Sequence, residues 1–379
     1  NSWHSWSPNG KWLVFSSKAN SPYTQLFLTH INEQGRSTPP VLLSQFTAPD
    51  RAANIPEFVN AGPTAMRNIR EKFLDDYSYV RAAIAFIKAG DHKGAEQEYR
   101  KALELNTENV KAHTDLGYIL LAKGMYKEGM LHVSEAIKLD PNNADANYNL
   151  GLAMLYQTEY EKAVRYFSRV IQLKPDHADA HLNLGVTLAN QERFDEAIKH
   201  YSMALQVKPD YAEAYYNLGE ALFHQGKLNE AVGYLFKALQ LRGDYADAYY
   251  TLGIVFVRQE KLDKAVRSWL EALRIKPDYT KAHYNLGVVL SRQGKINEAI
   301  KHWSQSARLN PKDINSLLHL GQGYAEIGRF SEAVTVTEKA VNLARAAGQE
   351  QLAQQIQKRL EFYKQSKPLG DSRENSSKK

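Results

Sequence analysis

Three stretches decide how this sequence is read: HLNLGVTL (181–188), YYNLGEAL (215–222) and YYTLGIVF (249–256). They lie 34 residues apart and share a Leu-Gly pair. Outward from them the pair recurs at Leu116-Gly117, Leu150-Gly151, Leu184-Gly185, Leu218-Gly219, Leu252-Gly253, Leu286-Gly287 and Leu320-Gly321, with no insertion. Twelve residues after each glycine stands a small residue: Gly129, Ala163, Ala197, Ala231, Ala265, Ala299 and Ala333. A proline closes most periods, at 141, 175, 209, 277 and 311. A fixed period of this length marks a stack of like units, each packing on its neighbours, rather than one globular core.

Each period predicts two helices. Leu184 and Leu188 after His181 follow helical spacing, and Ala197, Tyr201 and Ala204 form a second stripe. Gln191-Glu192-Arg193 between them is polar and predicts a turn. Pro209 blocks continuation, since it lacks an N–H and clashes with the preceding turn. The glycines and alanines are expected where two helix backbones cross closely.

The period with L-G, then A, then P resembles the tetratricopeptide (TPR) repeat. The resemblance covers eight units: 76–109, 110–143, 144–177, 178–211, 212–245, 246–279, 280–313 and 314–347. It implies a mainly α fold, an α-solenoid wound as a right-handed superhelix. The first unit departs from the pattern, with Ala82-Ala83 for Leu-Gly and Thr107 for Pro. Gly243 replaces one proline, and Arg345 another, so the last second helix is expected to run on. The family's tryptophan near the start of each unit is replaced by Tyr79, His113, Asn147, His181, Tyr215, Tyr249, His283 and Leu317.

A solenoid needs an end cap. Residues 348–365 predict one, with Leu352, Ile356, Leu360 and Tyr363 on one stripe, and 366–379 read as a disordered polar tail. The first 45 residues follow another pattern. Trp12, Val14 and Phe15 after Ser7-Pro8-Asn9-Gly10, then residues 23–31 and 41–43, predict short strands. The segment WSPNGKWLVFSS (6–17) resembles a blade of TolB-like β-propellers. One blade cannot bury both faces. The chain, which opens on Asn1, is therefore read as part of a longer parent whose last blade is residues 1–45, followed by a linker and lead-in helix over 46–75. The resemblance implies an exported, periplasmic protein. The other reading is a local β decoration on the first repeat.

Bulk composition is that of an ordinary water-soluble chain: 379 residues, 43% hydrophobic, 24% charged, formal net charge +6. The absence of cysteine excludes disulfides, thiolate metal sites and cysteine nucleophiles. No apolar run approaches the ~20 residues of a membrane helix. The basic residues are scattered, without the basic stripe that nucleic acid binding needs.

The candidate site follows from the period. With each repeat numbered so that its glycine is position 8, positions 4, 7, 8 and 11 form a packing stripe. Positions 2, 5, 6, 9, 12 and 13 lie on another face. In TPR proteins that face lines the concave groove, which takes peptides and protein segments. Position 6 holds Asn149, Asn183, Asn217 and Asn285, with Asp115, Thr251 and His319 elsewhere. An amide offers donors and an acceptor together, as a peptide backbone requires. The row resembles the asparagine ladder in the TPR superhelix of O-GlcNAc transferase, which grips peptide backbones, although no glycosyltransferase domain follows. Position 5 adds Tyr148, Tyr216, Tyr250 and Tyr284, with Leu182 between. Position 2 supplies an acidic row, Asp145, Asp179, Glu213 and Asp247, flanked by Lys111 and Lys281. Position 13 supplies a basic row, Lys88, His224, Arg258 and Arg292. For each row two readings stand: ligand contact, or a family-typical side chain on a solvated helix face.

No P-loop, HExxH or GxSxG motif occurs, and Gly321-Gln322-Gly323 falls within a predicted helix. His177, Asp179 and His181 are the best-spaced metal candidates, but His181 sits at a packing position shared with His113 and His283. No cofactor, metal or catalytic group is therefore expected. The leading reading is a non-catalytic scaffold that holds a protein segment. Alternatives are an assembly or tethering factor for an exported multi-subunit, for example respiratory, enzyme, a regulatory part of an enzyme whose catalytic module lies upstream, and a self-associating solenoid.

Overall fold

The structure is a computed structural model, and it describes residues 4–6, 12–17, 25–30, 32, 41–42 and 75–366. The linker and lead-in helix expected over most of 46–75, and the tail beyond 366, lie outside the described residues. The chain divides into two compact units, 1–107 and 108–379.

In the first unit β1 (His4–Trp6), β2 (Trp12–Ser17), β3 (Gln25–His30) and β4 (Val41–Leu42) pair antiparallel in sequence order. Val14 stands opposite Leu28, and Leu28 opposite Val41. The same unit holds the first repeat, α1 (Asp76–Lys88) and α2 (His92–Leu105). Ala83, where later repeats carry glycine, and Tyr99 are both buried.

The second unit is a run of helix pairs. They are α3 (Val110–Ala122) with α4 (Tyr126–Leu139), α5 (Ala144–Tyr156) with α6 (Tyr160–Leu173), and α7 (Ala178–Asn190) with α8 (Phe194–Val207). There follow α9 (Ala212–His224) with α10 (Leu228–Leu241), α11 (Ala246–Arg258) with α12 (Leu262–Ile275), and α13 (Thr280–Arg292) with α14 (Ile296–Leu309). The last pair is α15 (Ile314–Glu326) with α16 (Phe330–Ala346). The cap is α17 (Glu350–Gln365), which buries Ala353, Ile356, Leu360 and Tyr363. The second helix α16 spans 17 residues where its counterparts span 14, so it runs on where Arg345 replaces proline. The helices of each pair pack on each other, each second helix packs on the next first helix, and successive first helices such as α5 and α7 touch directly.

Local chemistry sets the helix boundaries. Position 34 is the residue before each first helix. Its side chain accepts a backbone N–H two or three residues into the helix at Asn109, Asn143, His177 and Asp313, satisfying a group the helix leaves unbonded. Between the two helices of every repeat, position 15 adopts the left-handed conformation. Gly90, Gly124, Gly226, Gly294 and Gly328 do so freely, while Thr158, Glu192 and Glu260 hold φ near 60°.

The recurring Gly of Leu-Gly answers to a side chain more than to a backbone, which corrects the sequence expectation. A methyl on Gly287 would stand 2.6 Å from Nε1 of Trp303, and one on Gly151 2.7 Å from the Phe167 ring. Tyr201, Leu235 and Trp269 occupy the same place against Gly185, Gly219 and Gly253. In the first pair of the unit the backbone does come close: a methyl on Gly117 would meet the Gly129 carbonyl at 3.0 Å as well as Val133. The missing Cβ is thus room for the large residue at position 24 of the same repeat, and these side chains are buried.

Candidate functional site

Position 6 turns out to be a structural joint as well as a presented amide. Nδ2 of Asn183 donates to the Tyr148 hydroxyl at 2.8 Å and to the Asp179 carbonyl at 3.0 Å. Nδ2 of Asn285 donates to the Tyr250 hydroxyl at 3.1 Å. Tyr284 lies 3.4 Å from Nδ1 of His319. In these three places position 5 of one repeat meets position 6 of the next. No such rung forms where Leu182, which is buried, takes the tyrosine's place. There Asn217 bonds only back to the Glu213 carbonyl, at 2.8 Å. Asn149 is itself buried, at 8% exposure, which corrects the expectation that all four amides stand open.

Each tyrosine oxygen that accepts from an asparagine keeps its own hydrogen to give. Burial, before any charge, pushes the Tyr148 hydroxyl up to about 12 and raises Tyr250, so both stay protonated. The asparagine keeps its Oδ1 as an acceptor. The Tyr148–Asn183 and Tyr250–Asn285 rungs thus each present one donor and one acceptor. Glu220 is half-buried, and that burial raises its carboxyl above the usual range, offset in part by His224 and Tyr216. A cavity of about 400 Å³ opens beside the Tyr250–Asn285 rung, lined also by Lys281, Tyr284, Asp313 and Asn315.

The acidic row is largely engaged within the chain. Asp145 pairs with Lys174 at 3.2 Å, Asp179 accepts from the Tyr211 hydroxyl at 2.6 Å, and Asp247 accepts from Tyr279 at 2.7 Å. Lys208, Arg242 and Lys276 lie over Tyr211, Tyr245 and Tyr279, so a cation backs each of these rings. Glu213 remains exposed. In the basic row His224 stacks on Phe194, at 4.8 Å between centroids, while Arg258 and Arg292 are exposed. The structure does not gather His177, Asp179 and His181 into one cluster. Nδ1 of His177 caps Ala180, Asp179 binds Tyr211, and His181 faces His200. Among the described residues no three His, Asp or Glu side chains are placed to hold a metal ion, and no helix is long and apolar enough to cross a membrane.

Two further periodic sets, one between repeats and one within them, escape a reading built on Leu-Gly. At position 14, Gln191, Gln225, Gln259 and Gln293 donate to Glu161, Asp195, Asn229 and Asp263 of the preceding repeat, at 2.7–3.0 Å. Their recurrence every 34 residues was a usable signal. In three repeats position 4 faces position 23: Nδ1 of His113, His181 and His283 lies 2.9, 3.1 and 3.0 Å from Nδ1 of His132, His200 and His302. Nε2–H of His181 and His283 donates to the carbonyls of Pro175 and Pro277, which leaves Nδ1 of each to accept from its partner.

These geometries agree with the family comparisons. A TPR repeat model matches residues 188–226 and 255–294, and tetratricopeptide repeat models match 86–146, 212–245 and 280–313. The chain carries tetratricopeptide repeats. A model of anaphase-promoting complex, cyclosome, subunit 3 matches 122–204 within the same TPR run. The described N-terminal strands lie outside every one of these matches. No curated protein matches the chain. Among solved structures, the APC/C hetero-tetramer Cut9-Hcn1 is 20% identical at TM-score 0.52, covering 71% of this chain and 52% of that one. Pseudomonas aeruginosa pilF is 20% identical at TM-score 0.50, covering 57% of this chain and 97% of that one. YrrB, described as a TPR protein with an unusual peptide-binding site, is 23% identical at TM-score 0.42, covering 51% of this chain and 97% of that one. The first two likenesses show the fold: a TPR solenoid.

Proposed function

We propose that this TPR protein is a non-catalytic scaffold whose first-helix face holds an extended segment of another protein. The observation that carries this reading is the Tyr250–Asn285 rung beside its cavity. A hydroxyl donor and an amide acceptor sit together there, and an extended chain offers a C=O and an N–H. Tyr148–Asn183 repeats the pairing three repeats earlier, so one segment lying along the face meets the same pattern twice. Tyr216 and Tyr284, both partly exposed, add apolar area along the same face. Arg258, Arg292 and Glu213 supply charge at its edges. Preorganised helices lose little freedom when such a segment binds, which favours many weak polar contacts over one strong one.

The test is selection of binders from an unbiased peptide library on the full chain, followed by titration of the selected peptides. Tyr250→Phe keeps the ring and removes the donor, and Asn285→Ala removes the acceptor. Each lost hydrogen bond is worth about 1 kcal/mol, so each variant is expected to weaken binding by roughly five- to tenfold. Selected peptides that bind both variants as tightly as the native chain would show that the rungs are structural only.

The resemblance of residues 6–17 to a propeller blade supports an exported protein. It also supports the more specific role of assembling a multi-subunit envelope enzyme. Recovery of the native, untagged protein from a periplasmic extract tests the first, and its co-purification with the subunits of one enzyme tests the second.

A further inference from the structure

The second-helix side carries a departure from the repeat pattern that the scaffold reading does not use. Positions 16, 19 and 22 lie one turn apart at the start of each second helix. In α8 they are Arg193, Glu196 and Lys199, and in α14 they are Lys295, Glu298 and Lys301, so an acid separates two cations. Arg193 and Glu196 pair at 2.7 Å, and Arg329 and Glu332 pair likewise in α16. In α12 the acid is replaced, and the three are Lys261, Lys264 and Arg267. None of these three forms an ion pair among the described residues; Lys261 bonds only the neutral Gln259, at 2.9 Å.

A second departure faces it from the preceding repeat. Position 25 is serine at 134, 168, 202 and 304, but Phe236 in α10, which is 48% exposed. Leu270, at the same position one repeat on, is 47% exposed. Position 22 of α10 is Gly233, where a side chain would meet nothing within 4 Å. Beside Phe236 a cleft of about 360 Å³ lies between the two repeats. Phe236 and the buried Phe256 form its apolar wall, and Lys261, Lys264 and Arg267 form its rim.

The geometry points to this cleft as a docking site for an acidic protein segment, one whose carboxylates meet Lys261, Lys264 and Arg267 while an apolar side chain packs on Phe236. Two independent features coincide here: three like charges without an acidic partner, of which Lys264 lies 5.7 Å over the Phe256 ring, and an exposed aromatic ring. Both are unfavourable in the free chain, and both are relieved by a ligand of that chemistry. A charge rim steers association, and an aromatic anchor holds the complex.

The test uses the full chain and a fluorescein-labelled peptide with two aspartates on each side of a Leu-Phe pair, read by anisotropy. Lys264→Glu reinstates the acid found in α8 and α14, and Phe236→Ser reinstates the serine found in four other repeats. Both variants are therefore expected to melt close to the native chain, with Lys264→Gln as the alternative if the first does not. The proposal expects the peptide to bind, each variant to weaken it by about tenfold or more, and added salt to weaken it further. It expects Asn285→Ala on the opposite face to leave this binding unchanged, and a peptide with lysines for aspartates not to bind. Absence of binding, binding undiminished in both variants, or tighter binding of a labelled single-stranded DNA with the same sensitivity would each overturn it.

Discussion

Nδ2 of Asn183 donates to the Tyr148 hydroxyl across 2.8 Å, joining two first helices 35 residues apart in sequence. The amide that the sequence offered to a ligand is thereby also part of the solenoid. Asn183→Ala is expected to lower unfolding free energy by about 1 kcal/mol, the ordinary net value of one hydrogen bond. Asn217→Ala, which lacks a tyrosine partner behind it, is expected to change stability by less than about half of that. Urea denaturation of the two variants compares them directly; equal losses would remove the rung as a stabilising contact.

The glycine of Leu-Gly is expected to tolerate no methyl where a ring fills its place. Gly287→Ala would drive a Cβ to 2.6 Å from Nε1 of the buried Trp303, an overpacking that costs about 1–3 kcal/mol. Gly233→Ala is the contrast. It lies in a helix interior with open space around it, so it is expected to gain about 0.5–1 kcal/mol from helix propensity. Chemical denaturation midpoints with opposite signs are the expected result.

Position 15 gives a third prediction. Thr158, Glu192 and Glu260 hold the left-handed conformation that five other repeats give to glycine. Such a conformation costs a side-chain-bearing residue roughly 1–2 kcal/mol. Thr158→Gly is expected to raise stability by up to about 1 kcal/mol, because the looser unfolded chain returns part of that gain. Gly226→Ala is expected to lower it. Thermal melts of the two single variants decide the matter.

Acid is expected to loosen the fourth and seventh repeats. In both, burial holds His181, His200 and His283 below the ordinary imidazole value and pushes His302 down to about 4. Arg308 acts with it at His283, and Lys199 and Lys301 act with it at the second-helix partners, against Glu196 and Glu298. Because the folded chain resists protonation, the unfolded chain binds more protons as pH falls below about 6.5. The stability is therefore fully present above that pH and is lost progressively toward about pH 4. Replacing His283 and His302 together by tyrosine copies the Tyr215–Tyr234 stack of another repeat, 6.2 Å between centroids. The double variant is expected to flatten the fall of melting temperature between pH 6.5 and 4.5. An unchanged slope would place the acid sensitivity elsewhere.

The period, the helix pairs, the running-on of α16 and the cap were legible in the chain because each is a local pattern. Helical spacing, a proline or its absence, and a stripe of apolar residues act within a few turns of one another. The sequence by itself also placed Tyr250, Asn285, Tyr148 and Asn183 on a shared face, since position within a repeat sets direction on a helix. What only the tertiary structure decided is which of these groups are already engaged. Asn183 meets Tyr148, Asp179 meets Tyr211, and His181 meets His200 through distances set by helix packing. A side chain's local position says where it points, but its remaining donors and acceptors depend on a neighbour one repeat or one helix away. For the same reason Phe236 and Lys264 became visible as one site only when α10 and α12 were laid side by side.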